Sequence, residues 1–340
     1  MSARIAAILV LLLVFLGGAA LILQRQETAQ RPANAGGLGQ RVLKDLKAAD
    51  VAVIRIVEPK SVLTLQRKDE GWVIAEREGF PADMAKVREF VVGAIELKVG
   101  QSEPIGEKDR ARLNLDSSGT QVELAGADGK PLAKLIVGQK YFKREPDNAD
   151  KAPADGRFVM RPDEPATVYT VSDPLPQASA RTADWIDRSG FKVEKVKTLE
   201  VLYPGGESWR IERTGDNADW KLARAKPGEK LEIPKANAAS YSLGLLELAD
   251  VAPKDAKPGG EMRGLDKPIL INATTLAGVS YAIKVGRLEQ ENYYVTFTSS
   301  GDQPREKLLS RHVLLVPKAK LEDTLKPRAE LLEKKDAGKK

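Results

Sequence analysis

The chain has 340 residues, 42% of them hydrophobic and 30% charged, and it contains no cysteine. This composition is typical of a folded protein of about two domains rather than of a disordered chain. The formal net charge is +6, but eight Lys/Arg and five Asp/Glu lie in residues 318–340, which leaves 46 against 43 elsewhere. The rest of the chain lacks the clustered positive charge that is typical of nucleic-acid-binding proteins. The absence of cysteine excludes disulfides, thiolate catalysis, Cys-ligated zinc and a lipidated-cysteine anchor.

The amino terminus, residues 1–24, is predicted to be an uncleaved transmembrane signal anchor. Nineteen uncharged, mostly apolar residues run from Ile5 to Leu23. As a helix they would span about 28 Å, close to the roughly 30 Å hydrocarbon core of a bilayer. A removed signal peptide is the alternative, but this run is longer than an h-region and ends in Leu-Ile-Leu. Because only four residues precede the run, we expect a single pass through the inner (cytoplasmic) membrane, with the bulk of the chain in the periplasm.

Residues 25–45 are polar and rich in Gly and Ala, and they are predicted to form a flexible tether. The following chain is predicted to contain one module twice, over residues 46–190 and 191–332. Residues 333–340 are too polar to pack and are predicted to be a disordered basic tail.

Three sequence markers that recur in the same order indicate the tandem repeat. The first marker is Trp72, which recurs as Trp220, 148 residues later. The second is FVVGAIEL (Phe90–Leu97), which is matched by YSLGLLEL (Tyr241–Leu248). The third is the pair Val137-Gly138, which recurs as Val285-Gly286, again after 148 residues.

Each repeat combines segments of period-2 alternation, which predict half-buried strands, with one amphipathic helix. The stretches TQVELAGADGKPLAKLIVG and ILINATTLAGVSYAIKVG each predict a hairpin-like pair of strands around a turn. In the first copy Asp83 is a candidate N-cap, and Met84, Val87, Val91 and Ile95 recur on one helical face. In the second copy Tyr241, Leu245 and Leu248 repeat this spacing. The sequence therefore predicts an α+β fold: a transmembrane helix followed by two modules of mainly antiparallel strands, each with a packed helix.

The motifs of common catalytic and nucleotide-binding sites are missing from the sequence. It contains no GxxxxGK[ST] loop, no strand–helix GxGxxG and no GxSxG, and its one histidine, His312, begins an apolar run. We therefore predict no catalytic residue, no cofactor and no enzymatic activity.

The richest carboxylate cluster lies in EPDNADKAPADG, residues 145–156. Asp147, Asp150 and Asp155 are weak candidates for binding a hard cation such as Ca²⁺, whose preferred ligands are oxygens. Their spacing does not match an EF-hand, and a solvated loop between two strands is the favoured interpretation.

A recurring pattern in both copies resembles a known family. It consists of W-x-[IL], a Pro-containing loop, a Gly-x-[IL]-x-L helix core, a Leu-Asp element and a strand ending in Gly. Its members in the first copy are Trp72, Pro81, Gly93–Leu97, Leu115-Asp116 and Gly138, and in the second Trp220, Pro234, Gly244–Leu248, Leu265-Asp266 and Gly286. The pattern resembles an uncharacterised bacterial membrane-anchored domain family, a domain of unknown function encoded beside gliding-motility-type ABC transporters and their auxiliary subunits.

This resemblance implies an envelope protein associated with an ABC-type export or gliding-related system, and it supplies no catalytic residue. We therefore expect a non-catalytic accessory component that contacts an ABC-type permease or auxiliary subunit through its repeats. No nucleic acid or small-molecule substrate is indicated. A periplasmic scaffold or binding module unrelated to a transporter is the first alternative, and a carboxylate-dependent envelope hydrolase is the second.

Overall fold

The computed structural model describes residues 37–69, 71–144, 146–149, 151–173, 175–254 and 263–333. The predicted anchor at 1–24, with Ile5 and Leu23, and nearly all of the predicted tail lie outside these residues. Within them, no helix has the length and apolar character needed to cross a membrane.

Antiparallel strands dominate the described chain and form two sheets, with few helices, as expected for an α+β fold. The strands of the first sheet are β1 (Val53–Glu58), β2 (Ser61–Lys68), β3 (Gly71–Ile74), β4 (Phe80–Pro81), β5 (Gln101–Pro104), β6 (Thr120–Ala125), β7 (Pro131–Tyr141), β8 (Gly156–Met160) and β9 (Thr167–Val171). Those of the second are β10 (Val196–Leu202), β11 (Trp209–Glu212), β12 (Lys221–Leu222), β13 (Asp250–Val251), β14 (Ile269–Thr275), β15 (Ser280–Glu289), β16 (Asn292–Ser299) and β17 (Leu314–Pro317). The helices are α1 (Met84–Glu96), α2 (Glu107–Arg112), α3 (Ile233–Tyr241), α4 (Pro304–Leu309) and α5 (Lys318–Leu321).

The two sheets have the same strand order once the extra edge strand β4 is set aside. The first sheet is ordered β4-β3-β2-β1-β6-β7-β8-β9-β5, and the second β12-β11-β10-β14-β15-β16-β17-β13. Each strand of the second sheet therefore has one counterpart in the first, and the short edge strand β13 takes the place of β5.

Contacts group the chain into two compact units. Unit 1 comprises Met1–Val62 and Arg88–Ala180, and unit 2 comprises Leu63–Val87 and Arg181–Lys340. This grouping follows spatial contacts, whereas the module boundaries at 46–190 and 191–332 describe a sequence repeat and stay a prediction.

The strands form where apolar residues alternate with polar ones. In β1, Ile54 and Ile56 are buried and Arg55 between them is exposed. The predicted hairpins after β6 and β14 are confirmed: β6 pairs with β7 and β14 with β15, all antiparallel. Gly129 and Gly278 lie in their turns at φ of +76° and +85°, a region that a residue without Cβ enters at little cost.

Helix α1 begins at the predicted cap. The Asp83 carboxylate accepts hydrogen bonds from the backbone N–H groups of Ala85 (2.9 Å) and Lys86 (3.3 Å). Val87 and Val91 are buried as predicted, whereas Met84 is 52% exposed, so its placement on the buried face was wrong. Met84 lies in the first turn, where its sulfur instead accepts the backbone N–H of Trp72 at 3.4 Å.

The predicted buried face of the second helix was also wrong in part. Tyr241 is 67% exposed and Leu245 is 49% exposed, although Leu248 is buried. Helix α3 ends at Tyr241 and continues as a 3₁₀ turn over Ser242–Leu245, so the 3.6-residue period does not extend to Leu245. The buried residues of α3 are instead Ala236, Ala239 and Ser240.

Candidate functional site

The carboxylates that the sequence singled out lie in the connection between β7 and β8. Asp147 and Asp155 are exposed, and Asp155 accepts the backbone N–H of Lys143 at 2.9 Å. The ammonium group of Lys140 donates to the carbonyls of Ala149 (3.1 Å) and Ala152 (3.2 Å), so a cation of the chain itself binds the oxygens of this loop. Asp150 is outside the described residues.

Within the described ranges, no three or more His, Cys, Asp or Glu side chains form a group that could hold a metal ion. Asp147 and Asp155 therefore belong to no such group there.

His312, the single histidine of the chain, packs edge-on against the Phe80 ring, with centroids 5.2 Å apart and an interplanar angle of 85°. Burial lowers its pKa, which favours the neutral imidazole. These contacts give the residue a packing role in unit 2.

The repeated tryptophans are both buried, with 9% of Trp72 and 3% of Trp220 exposed. The Trp220 indole donates to the Asn237 side chain in α3 at 3.0 Å, and the Arg213 guanidinium lies 4.7 Å from its ring centroid. The indole therefore joins the strand region to the helix within unit 2, which is a structural contact.

Unit 1 contains a groove on the face of its sheet opposite Ile54 and Ile56. Its volume is about 600 Å³, within the range of ligand-binding pockets. Strands β1, β6 and β7 form its floor, and α2 and the turn at 162–165 form a wall. The Arg110 guanidinium in α2 donates to the Pro165 carbonyl at 3.2 Å, which ties the helix to this turn.

Apolar side chains cover part of the groove floor, although this face of an antiparallel sheet would ordinarily be polar. Val57 of β1 and Ile136 of β7 lie on one row, on either side of Gln121 of β6. Leu115 and Met160 line the same groove and belong to one buried cluster, against which Ile136 packs. The groove can therefore bury apolar groups of a ligand.

A row of charged residues crosses the same floor. Arg55 lies opposite Glu123, and Glu123 lies opposite Lys134. The Lys134 ammonium pairs with Glu123 at 2.9 Å. The Arg55 guanidinium forms no hydrogen bond or ion pair within the part of the chain described. Arg55 is therefore the side chain on this row that is available to a carboxylate of a ligand.

The equivalent positions of unit 2 have different chemistry. By strand pairing, Glu200, Asn272 and Ala282 take the places of Arg55, Glu123 and Lys134, and Lys284 takes the place of Ile136. The Asn272 amide donates to Glu200 at 3.1 Å. The two sheets share a topology, but the apolar floor with an available arginine is a property of unit 1.

Sequence reasoning did not identify this groove. Arg55, Glu123 and Lys134 each occupy the polar position of an alternating strand, which in sequence is indistinguishable from an ordinary solvated face. One signal was readable: Val57 and Ile136 place apolar side chains on that polar face.

The described chain is an α+β arrangement of two antiparallel sheets, with a groove on the first of them. A family profile described as a domain of unknown function (DUF4340) matches residues 72–268. This match covers more than half of the chain, and the chain belongs to that family. The resemblance identified from the sequence is confirmed at this level. A comparison with curated proteins and one with solved structures give no match.

Proposed function

We propose that this chain is a membrane-tethered, non-catalytic accessory component of an ABC-type, gliding-motility-like transport system, and that its unit 1 groove binds a polypeptide segment of the transporter. The observation that carries the proposal is the groove, whose apolar floor adjoins the available cation of Arg55. Family membership and the apolar run at residues 5–23 support it. The anchor would hold the two units in the periplasm at the surface of the inner membrane.

The partner is a polypeptide segment because the groove is open along strands and combines apolar and charged surface. An extended segment places alternate side chains on the floor. Apolar side chains would contact Val57 and Ile136, and an acidic side chain would contact Arg55.

A site-specific photo-crosslinking experiment in cells tests this proposal. A photoreactive amino acid replaces Ile136 in the full-length, membrane-anchored chain, and the matched control carries it at Lys284, the equivalent position of unit 2. We expect the 136 variant to crosslink an ABC-type permease or its auxiliary subunit, and the 284 variant to crosslink neither.

Two results would contradict the proposal. Crosslinks from position 136 to another copy of this chain or to cell-wall material would favour the scaffold or hydrolase alternatives. Equal transporter crosslinks from both positions would mean that the groove is not the contact surface.

The charge reversal Arg55→Glu introduces the residue found at this position in unit 2. It is expected to reduce the transporter crosslink severalfold, since it places a carboxylate opposite that of Glu123.

A further inference from the structure

A second cavity, of about 580 Å³, lies in unit 2 at the end of its sheet. Its lining includes Phe191, Tyr281 and Glu306, contributed by the segment before β10, by β15 and by α4. Glu306 is 8% exposed and Tyr281 is 7% exposed. Buried ionisable groups are rare unless they are paired, so the contacts of this carboxylate decide what the cavity can bind.

Only one of the two oxygens of the Glu306 carboxylate has a hydrogen-bond partner within the described chain. Its Oε1 accepts the phenolic O–H of Tyr281 at 2.7 Å. Burial, together with this hydrogen bond, raises the pKa of Tyr281 to about 12. Its Oε2 is shielded from solvent and has no hydrogen-bond partner within the described chain, the one buried side-chain oxygen or nitrogen there of which this is true. A buried carboxylate oxygen without a donor is costly, so such a group calls for a ligand or another donor.

The cations around the cavity do not supply that donor. The Arg305 guanidinium is held by the Ser189 carbonyl (3.0 Å) and pairs with Asp187 at 3.2 Å. Lys192 and Lys195 also line the cavity, but they are exposed, and neither ammonium group forms an ion pair with Glu306 or with another residue of the described ranges. Glu194 is an exposed acid on the same rim, so the exposed charges of the rim include both signs.

Aromatic rings form the apolar side of the cavity. The rings of Phe191 and Tyr281 are nearly parallel, with centroids 6.5 Å apart, and Phe191 is stacked on Phe297 at 3.9 Å. Aromatic faces beside a carboxylate suit an alkylammonium group, which is attracted by both. Glu306 Oε2 lies beside Gly301, since a Cβ atom built on that glycine would be 2.7 Å from it. The terminal torsion of a glutamate is broad, and rotation about it would turn this oxygen towards the cavity.

The first sheet has a different residue at the position of Tyr281. The residue of β7 that corresponds to Tyr281 is Ala133, since the two strands are related by the same 148-residue offset as Gly138 and Gly286. The phenol that donates to Glu306 is therefore not required by the shared topology.

We propose that this cavity is a binding site for an alkylammonium group, in which Glu306 accepts a hydrogen bond from the cation and Phe191 and Tyr281 contact its alkyl chain. The ammonium group belongs to a lysine side chain or to a free polyamine, which have this chemistry in common. The site is separate from the unit 1 groove and does not depend on the transporter proposal.

The test is an NMR titration of the full-length chain in detergent micelles, with ¹³C-labelled tyrosine as the reporter of Tyr281. The probes are Nα-acetyl-lysine N-methylamide, putrescine and, as the uncharged match, Nα-acetyl-norleucine N-methylamide. We expect a saturable shift of the Tyr281 resonance with at least one amine and none with norleucine. Binding of the lysine probe alone identifies a polypeptide side chain, and binding of putrescine alone identifies a free polyamine.

Two variants make the test specific. Glu306→Gln keeps the size of the side chain and is expected to weaken amine binding about tenfold or more, because the charge-assisted hydrogen bond is lost. Its melting temperature is expected to equal or exceed that of the wild type, since a buried unpaired charge is removed. Glu212→Gln, an exposed acid of β11 that does not line the cavity, is expected to bind like the wild type.

Three results would overturn the proposal. The first is the same Tyr281 shift with the norleucine probe. The second is unchanged amine binding by Glu306→Gln. The third is a melting temperature of Glu306→Gln several degrees below the wild type, which would mean that a group of the protein already donates to Oε2 of Glu306.

Discussion

Gly138 and Gly286 mark the same close approach of two backbone segments in the two units. A Cβ atom on Gly138 would lie 2.3 Å from the Leu113 carbonyl oxygen, and one on Gly286 would lie 2.3 Å from that of Arg263. The leucine of each Leu-Asp element, Leu115 or Leu265, is also next to the glycine. The Leu-Asp and Gly parts of the family pattern are therefore one packing contact.

Replacing Gly138 or Gly286 by Ala is expected to destabilise the fold by about 1–3 kcal/mol, because the backbone must move to make room for the methyl group. Chemical denaturation measures the loss. Gly93→Ala is the matched control: Gly93 lies inside α1 with nothing within 4 Å of its Cβ position, so alanine should stabilise by about 0.5–1 kcal/mol. Equal effects at Gly138 and Gly93 would refute the close approach.

Glu229 and Arg328 form an ion pair whose strength depends on pH. Arg328 is 6% exposed and donates to the Glu229 carboxylate at 2.6 Å. This hydrogen bond lowers the pKa of Glu229 to about 2 from 4.5. Because the folded pKa lies below the unfolded one, the pair stabilises the fold fully above pH 4.5 and loses its effect as the pH falls towards 2.

The melting temperature of Glu229→Gln is therefore expected to depend less on pH between 4.5 and 2 than that of the wild type. Glu212→Gln is the control, because Glu212 belongs to an exposed pair with Arg210 at 3.7 Å, and it should retain the wild-type slope. If Glu229→Gln and the wild type lose stability in parallel over this window, the pair does not contribute as described.

At the scale of single elements, the cap of α1 is expected to carry a measurable part of the stability. Asp83→Ala removes the acceptor for two orphan N–H groups and should cost about 1 kcal/mol in the free energy of unfolding. Asp83→Asn keeps an oxygen at the cap and removes the charge, so it should lose only the smaller contribution of the helix dipole. A loss by Asn as large as that by Ala would mean that charge, and not the hydrogen bond, is decisive.

The elements that sequence reasoning predicted correctly are those specified by neighbouring residues. The hairpins β6–β7 and β14–β15 follow from alternation around a glycine turn, and the start of α1 follows from Asp83 and its two hydrogen bonds. The burial of Tyr241 was predicted wrongly because its helix ends there, and no capping residue in the sequence marks that end.

The groove could not be predicted from the sequence, because the residues that line it come from segments far apart in the chain. Arg55 and Glu123 become neighbours only when β1 pairs with β6, and the wall depends on Arg110 reaching the Pro165 carbonyl. The Glu306 site has the same origin, since β15 and α4 bring Tyr281 to that carboxylate. Alternation predicts which side of a strand is buried, but it does not predict which strands lie side by side.

At the scale of the whole molecule, the proposed location depends on the predicted membrane anchor at residues 1–24. The run from Ile5 to Leu23 contains no charged residue, and burying it in a bilayer would stabilise attachment strongly. Deletion of residues 1–24 is therefore expected to move the protein from the membrane fraction to the soluble fraction, with its thermal unfolding unchanged.

Fractionation with a carbonate wash measures this release. Deletion of residues 334–340 is the matched control and should leave the protein in the membrane.

Protease added to spheroplasts tests on which side of the membrane the two units lie. A periplasmic chain is digested without lysis, since both units would lie outside the cytoplasmic membrane. Full-length protein in the soluble fraction would contradict the anchor. Protection of the chain until lysis would reverse the orientation and leave the units on the cytoplasmic side, where a permease would have to be contacted through its cytoplasmic loops.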